Sequence, residues 1–205
     1  MNPKRVFIVD DHAILRMGLT SLINAVPDLT VVGDAEDGES AVRKVLELRP
    51  DVVIMDLMMP GMDGSETTRR IRCDFSDANI LILTSFGTSD ALAHALEAGA
   101  KGAVLKNIPF PELVEAIRTV AAGRRFVSEE LERILQANPP VPRLSVRQDQ
   151  ILREMVRGLS NADIALVLKI SPNMVKAHVN ALFQKIGAAT RAEAVAIALQ
   201  KHLLK

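Results

Sequence analysis

Asp10 and Asp11 stand side by side, Asp56 stands alone, Thr84 offers a hydroxyl and Lys106 an ammonium. Together these five side chains have the chemistry to hold a divalent cation and a phosphoryl group. Mg²⁺ prefers hard oxygen donors, usually takes one or two carboxylates and keeps several waters. Three aspartates gathered at one place would crowd negative charge that only a cation offsets at close range. Lys106 supplies a fixed positive charge, and Thr84 a donor for a phosphoryl oxygen. A carboxylate can itself be phosphorylated to an acyl phosphate. Asp56 is the candidate nucleophile, because it stands alone before a loop rich in Met, Pro and Gly.

The elements that must position these groups are short apolar runs. Val6-Phe7-Ile8-Val9 leads into Asp10-Asp11, and Val52-Val53-Ile54-Met55 into Asp56. Ile80-Leu81-Ile82-Leu83 leads into Thr84-Ser85, and Ala103-Val104-Leu105 into Lys106. Each run has the length and composition of a strand buried on both faces, as in a parallel sheet covered by helices. The carboxyl ends of such strands line one crevice, where ligands bind. Any one of these acids could instead do no more than cap the helix that follows its strand. The same pattern at four strand ends favours a shared site.

Helical spacing separates the runs: Ile14, Leu15, Leu19, Leu22 and Ile23 within Ala13 to Val26, then Glu39–Leu48, Ser65–Arg72, Asp90–Glu97 and a helix opened by Pro111. With Leu29–Val32 as a further strand, five strands alternate with five helices over residues 1–122, an α/β doubly wound five-stranded parallel sheet. Residues 123–143 read as a linker with a short helix at 128–136, ending in Asn138-Pro139-Pro140-Val141-Pro142, which cannot continue a helix.

Residues 144–205 read as a small all-α domain of four helices. Ser145 to Gln148 and Ser160 to Asp163 resemble capping boxes, and Ser171-Pro172 marks another helix start. A helix of about eight residues, the turn Leu168-Lys169-Ile170 and a longer helix make a helix-turn-helix. In the longer helix Val175, Val179, Leu182 and Ile186 form an apolar stripe, leaving Asn173, Lys176, Ala177, Asn180 and Gln184 on the opposite face. Amide and ammonium groups on such a face read base edges and phosphates in a major groove.

The formal net charge of zero hides a division: residues 1–142 hold 15 Lys/Arg against 21 Asp/Glu, and residues 143–205 hold 10 against 4. A small basic segment suits nucleic acid. No apolar run approaches membrane-span length, and the N-terminus lacks the layout of a signal peptide. Cys73, the single cysteine, can form no internal disulfide. These features lead us to expect a cytoplasmic protein with no membrane partner.

Both halves resemble one family. Val9-Asp10-Asp11-His12, the loop from Asp56 to Gly64, Thr84-Ser85 and Lys106 resemble a response-regulator receiver domain of flavodoxin-like fold. Leu144-Ser145, Gly158-Leu159-Ser160-Asn161, Val175-Lys176-Ala177-His178-Val179 and Lys185-Ile186-Gly187 resemble a LuxR-type helix-turn-helix. Together they resemble the NarL/FixJ class of two-component response regulators over essentially the whole chain. The resemblance implies a DNA-binding transcription regulator, not an enzyme. It implies that Asp56 accepts a phosphoryl group from a histidine kinase. Asp10, Asp11, Asp56 and the main-chain carbonyl of Met58 would hold Mg²⁺, with Thr84 and Lys106 contacting the phosphoryl group. It also implies double-stranded DNA as partner, met by Lys176, Ala177 and Asn180 with Lys185 nearby. A homodimer favoured by phosphorylation is implied too, with contact to RNA polymerase left open.

The chain departs from the family pattern in several places. Ala103 stands where an aromatic residue usually lies three positions before the lysine, so it has no ring to turn inward when Thr84 moves. Met174 replaces a usual Thr, and Asn180 a common basic residue. Met58 and Phe86 stand two residues after Asp56 and Thr84, positions that by the resemblance would flank the path of a water attacking the acyl phosphate. Both are large and apolar, which points to slow self-dephosphorylation. Two rival readings follow. One keeps the DNA module but drops phosphorylation control because of Ala103. The other is a phosphotransferase or phosphatase with an aspartyl nucleophile, which would need a general acid two residues after Asp56, where Met58 stands.

Overall fold

The computed structural model describes residues 2–85, 89–137, 144–200 and 203. The chain divides into two compact units, residues 1–140 and 141–205.

The first unit is built on six strands: β1 (Lys4–Val9), β2 (Leu29–Ala35), β3 (Val52–Asp56), β4 (Ile80–Thr84), β5 (Gly102–Leu105) and β6 (Phe126–Val127). All neighbours pair parallel in the order β2-β1-β3-β4-β5-β6. Successive side chains in a strand point to opposite faces, and here both faces are covered. Phe7, Val9, Val53, Met55, Ile80, Ile82, Ala103 and Leu105 enter one core, and Val6, Ile8, Val52, Ile54, Leu81, Leu83 and Val104 the other. This is why the strands read as unbroken apolar runs.

Helices α2 (Gly38–Leu48), α3 (Gly64–Asp74) and α4 (Ser89–Glu97) supply Ala41, Val45, Ile71, Leu92 and Ala95 to the first core. Helices α1 (Ala13–Asn24) and α5 (Phe110–Ala121) supply Leu19, Ile23, Leu113, Ile117 and Val120 to the second. The sheet order reverses between β1 and β3, the kind of switch point beside which α/β sheets bind ligands.

The sheet has six strands, not the expected five. β6 is two residues long and follows Arg124-Arg125, so it carries no periodicity of its own. Backbone pairing to Gly102 and Ala103 defines it, and Gly102 permits the close approach: a Cβ there would lie 2.7 Å from the carbonyl oxygen of Phe126. Helix α6 (Glu129–Ala137) follows, with Leu131 buried in the same core as Ala103. The stretch 123–143, expected to be a linker, is therefore packed onto the first unit over 126–137. The proline-rich stretch 138–143 lies outside the described residues.

The second unit holds α7 (Val146–Val156), α8 (Asn161–Leu168), α9 (Pro172–Ile186) and α10 (Arg191–Gln200) around one core that includes Ile151, Leu152, Ile164, Val175, Val179, Leu182, Ala194 and Ala198. Capping boxes start α7 at Ser145 with Gln148 and α8 at Ser160 with Asp163, satisfying otherwise orphaned N–H groups. Ser171 caps α9 by accepting from the N–H of Met174, with Pro172 at the first helical position. Lys169, in the left-handed conformation, closes the turn between α8 and α9. Arg191 donates to Asn161 Oδ1 and to the carbonyl of Leu159, tying α10 to the start of α8 and the loop before it.

Candidate functional site

β1 and β3 end side by side, in register Val9 against Met55, which brings Asp10 next to Asp56. β4 and β5 place Thr84 opposite Leu105, and the N–H of Lys106 donates to the carbonyl of Thr84 at 2.8 Å. The tight start of α3 shapes the fourth wall. A Cβ on Gly64 would lie 2.1 Å from the carbonyl oxygen of Asp56, so glycine is required for this approach.

The expected residues come together as follows. Lys106 Nζ lies 2.7 Å from Asp10 Oδ2 and 2.9 Å from Asp56 Oδ2. Asp56 Oδ1 accepts the N–H of Met58 at 3.2 Å, and Asp10 Oδ1 that of His12 at 2.8 Å. Ligand atoms of Asp10, Asp11, His12 and Asp56 all lie within 4.8 Å of one another. Asp10 and Asp56 are 1 % and 3 % exposed, so their charges are held largely out of water. Thr84 is buried, and its hydroxyl has no hydrogen-bond partner among the described residues.

Burial pushes the Asp56 carboxyl above its ordinary range, against the pull of the hydrogen bond and charge of Lys106, and the charge of Asp10 adds to the rise. Burial also opposes the charge on Lys106, but hydrogen bonds to Asp10 and Asp56 outweigh it and raise the ammonium's pKa. One ammonium is thus shared by two buried carboxylates, with Asp11 adjacent. Oxygen donors, excess negative charge and partial access through Asp11 suit a hard divalent cation such as Mg²⁺.

His12 is largely exposed, with Nδ1 2.7 Å from Asp11 Oδ1 and 3.2 Å from Asp10 Oδ1. Met58 is 60 % exposed beside Asp56. Phe86, its expected counterpart, lies outside the described residues. Ala103 is fully buried in the core that also receives Leu131 of α6.

The structure adds Arg16 beside the site. It is the one charged residue of α1, and its guanidinium donates to the carbonyl of Asp10 and to Asp34. A lone cation in an otherwise uncharged helix was the signal available.

In the second unit α9 buries Val175, Val179 and Leu182 and exposes Asn173, Lys176, Ala177, Asn180, Gln184 and Lys185 along one side. Asn173, Lys176, Asn180, Gln184 and Lys185 give the exposed surface of this helix, the second of a helix-turn-helix, its polar and basic groups. Met174 is also exposed there.

Comparison with known proteins covers both units. Residues 6–118 match the response regulator receiver domain, and residues 142–198 the bacterial regulatory proteins of the luxR family. The oxygen regulatory protein NreC of Staphylococcus epidermidis is 38% identical, covering 98% of this chain and 99% of its own. The transcriptional regulatory protein LiaR of Bacillus subtilis is 36% identical over the same shares. Among solved structures, the response regulator ChrA of a heme-sensing two-component system is 35% identical over the full length of both chains, with a TM-score of 0.59. The two-component response regulator RcsB in complex with DNA is 26% identical over 97% of this chain and 98% of its own, with a TM-score of 0.64.

Proposed function

On the premise that this chain belongs to the NarL/FixJ-type two-component response regulators, with a receiver and a LuxR-type DNA-binding domain, we propose that phosphorylation of Asp56 by a sensor histidine kinase controls its binding to DNA. The receiver core is residues 1–122 and the DNA-binding domain residues 144–205. No helix among the described residues is long and apolar enough to cross a membrane, and the protein acts in the cytoplasm.

The observation that carries this reading is the sharing of Lys106 by Asp10 and Asp56 beside the Thr84 hydroxyl, which has no hydrogen-bond partner among the described residues. A carboxylate oxygen of Asp56 attacks phosphorus, the bond to the donor's leaving group breaks, and an acyl phosphate forms. Asp10, Asp11, Asp56 and the main-chain carbonyl of Met58 would hold Mg²⁺, which when bound would supply positive charge to offset that of the carboxylates and the phosphoryl group. Transfer of the phosphoryl group to Asp56 releases one contact of Lys106, which then pairs with a phosphoryl oxygen. Thr84 donates its hydroxyl to another. Ala103 offers no ring for a switch, so the conformational readout differs from the family's usual one or is weaker. The apolar side chains of Met58 and Phe86 offer an attacking water no orienting group, and the acyl phosphate is long-lived.

Phosphorylation favours a homodimer. Two copies of α9 then meet two half-sites, with Asn173, Lys176, Ala177, Asn180, Gln184 and Lys185 facing the groove. The test is DNA binding and oligomeric state with and without acetyl phosphate and Mg²⁺, for wild type and Asp56→Ala. Dimerisation and tighter binding in wild type alone support the switch. Equal binding by both proteins under all conditions refutes it.

A further inference from the structure

We propose that Arg16 is a positioning residue that fixes the peptide between Asp10 and Asp11 and thereby sets how tightly the acidic site holds a divalent cation. This rests on the reading of Asp10, Asp11 and Asp56 as the ligands.

Arg16 lies in the first turns of α1, yet its side chain is only 13 % exposed. A solvating arginine would project into water, as Ile14 and Met17 on the same helix do despite being apolar. Instead Nη1 donates to the main-chain carbonyl of Asp10 at 2.7 Å and Nε to Asp34 Oδ2 at 2.7 Å. Its Nη2 lies 3.9 Å from Glu36 Oε2.

The carbonyl of Asp10 belongs to the peptide that joins the two acids. The N–H of Asp10 donates to the carbonyl of Ala35 at 3.2 Å. β2 therefore grips Asp10 from one side and Arg16 from the other. Turning that peptide would swing Asp11 relative to Asp10, whose own Oδ1 is tied to the N–H of His12. Fixing it sets the spacing of the two carboxylates.

Arginine suits this task because its planar fork points donors in two directions at once, toward a carbonyl and a carboxylate. A lysine can reach such partners only with one nitrogen on a flexible stem, and lacks the rigid pair of donors that fixes their relative geometry. Asp34 and Glu36, at and just beyond the end of β2, hold the guanidinium and offset its charge. Among the described residues Arg16 pairs with no carboxylate of Asp10, Asp11 or Asp56, so it acts through the main chain. Partners that orient metal ligands in this way typically change metal affinity by about 10–100-fold when removed.

The experiment is calorimetric titration of the full chain with Mg²⁺ for wild type, Arg16→Gln, Arg16→Lys and Asp34→Asn, with thermal unfolding measured in the absence of Mg²⁺. We expect Arg16→Gln to weaken Mg²⁺ binding about tenfold. Arg16→Lys should fall between it and wild type, and Asp34→Asn should show a smaller loss in the same direction. At saturating Mg²⁺ the rate of acyl phosphate formation from acetyl phosphate should return toward wild type. Unchanged Mg²⁺ affinity with only a lower melting temperature would mean that Arg16 braces the fold and would overturn the proposal. Tighter Mg²⁺ binding on loss of the charge would overturn it as well. If Arg16→Gln does not fold, Arg16→Lys and Asp34→Asn decide by the same readouts. Failure of wild type itself to bind Mg²⁺ overturns the assignment of the ligands, a result distinct from equal binding by wild type and variants.

Discussion

In the first unit the acidic site is drawn from the ends of β1, β3, β4 and β5, and its Asp10, Asp56 and Thr84 are nearly inaccessible to water. In the second unit the proposed DNA-contacting residues all come from α9 and lie exposed. The contrast follows from the chemistry. An acyl phosphate and a cation need few groups held at fixed distances in a low-dielectric crevice, which only distant strands converging can build. A DNA groove needs a long, solvated, cationic face that slides into place, and one helix provides it. The first design ties function to stability, because buried charges cost free energy when unpaired. The second separates them, since surface groups on α9 contribute little to the fold.

The largest effect that sharpens this contrast is loss of the shared cation. Lys106→Met removes the cation shared by buried Asp10 and Asp56 and should destabilise the first unit by about 3 kcal/mol at neutral pH. Mg²⁺ should recover part of the loss, and urea unfolding followed unit by unit checks both statements. A fall in stability of residues 141–205 as well would break the separation. The mirror experiment is Leu182→Ala, which empties a fully buried position in the core of the second unit. It should cost about 3 kcal/mol there and abolish DNA binding, while labelling of Asp56 by acetyl phosphate proceeds at the wild-type rate.

Lys176→Ala should have a milder result, with both units folded as before. DNA binding should weaken by a similar factor across sequences, and the slope of log affinity against log salt should fall by about 1. A sequence-dependent loss would show Lys176 reading bases, not phosphates.

The smallest effect concerns Asp56 itself. Burial raises its folded-state pKa above the unfolded carboxylate value of 3.8. The folded state therefore holds this proton more tightly than the unfolded chain does. That contribution is fully present below the unfolded value and is lost as pH rises through the raised folded value. Without divalent cation at pH 7, Asp56→Asn should therefore be more stable than wild type, on the order of 1 kcal/mol. The gap should close as pH is lowered, and melting temperatures across that range read the sign directly.

The four strand ends carrying Asp10, Asp56, Thr84 and Lys106 were legible because strands buried on both faces advertise themselves as apolar runs. The chemistry stands at the first residue beyond, or at the last residue of, each run. The caps at Ser145, Ser160 and Ser171 were legible for a similar reason, since capping is settled within four residues of sequence. The stripe of α9 followed from helical periodicity alone. By contrast β6 and the docking of α6 were not legible. A two-residue strand has no period, and what fixes it is the open backbone edge of β5 at Gly102 and Ala103. Leu131 in α6 looks like any apolar helical residue until Ala103 and α4 are known to lie beneath it.

Sequence by itself therefore determined most element types, the two-part organisation and the candidate reactive groups, because each of these is encoded over a few neighbouring residues. Only the tertiary structure decided which groups share a charge. That Lys106 bridges Asp10 and Asp56, that Arg16 grips the Asp10 carbonyl, and that Met58 stands in solvent beside Asp56 all depend on strand order and helix docking. Those are set by packing across the sheet, between residues tens of positions apart, where no local pattern reaches.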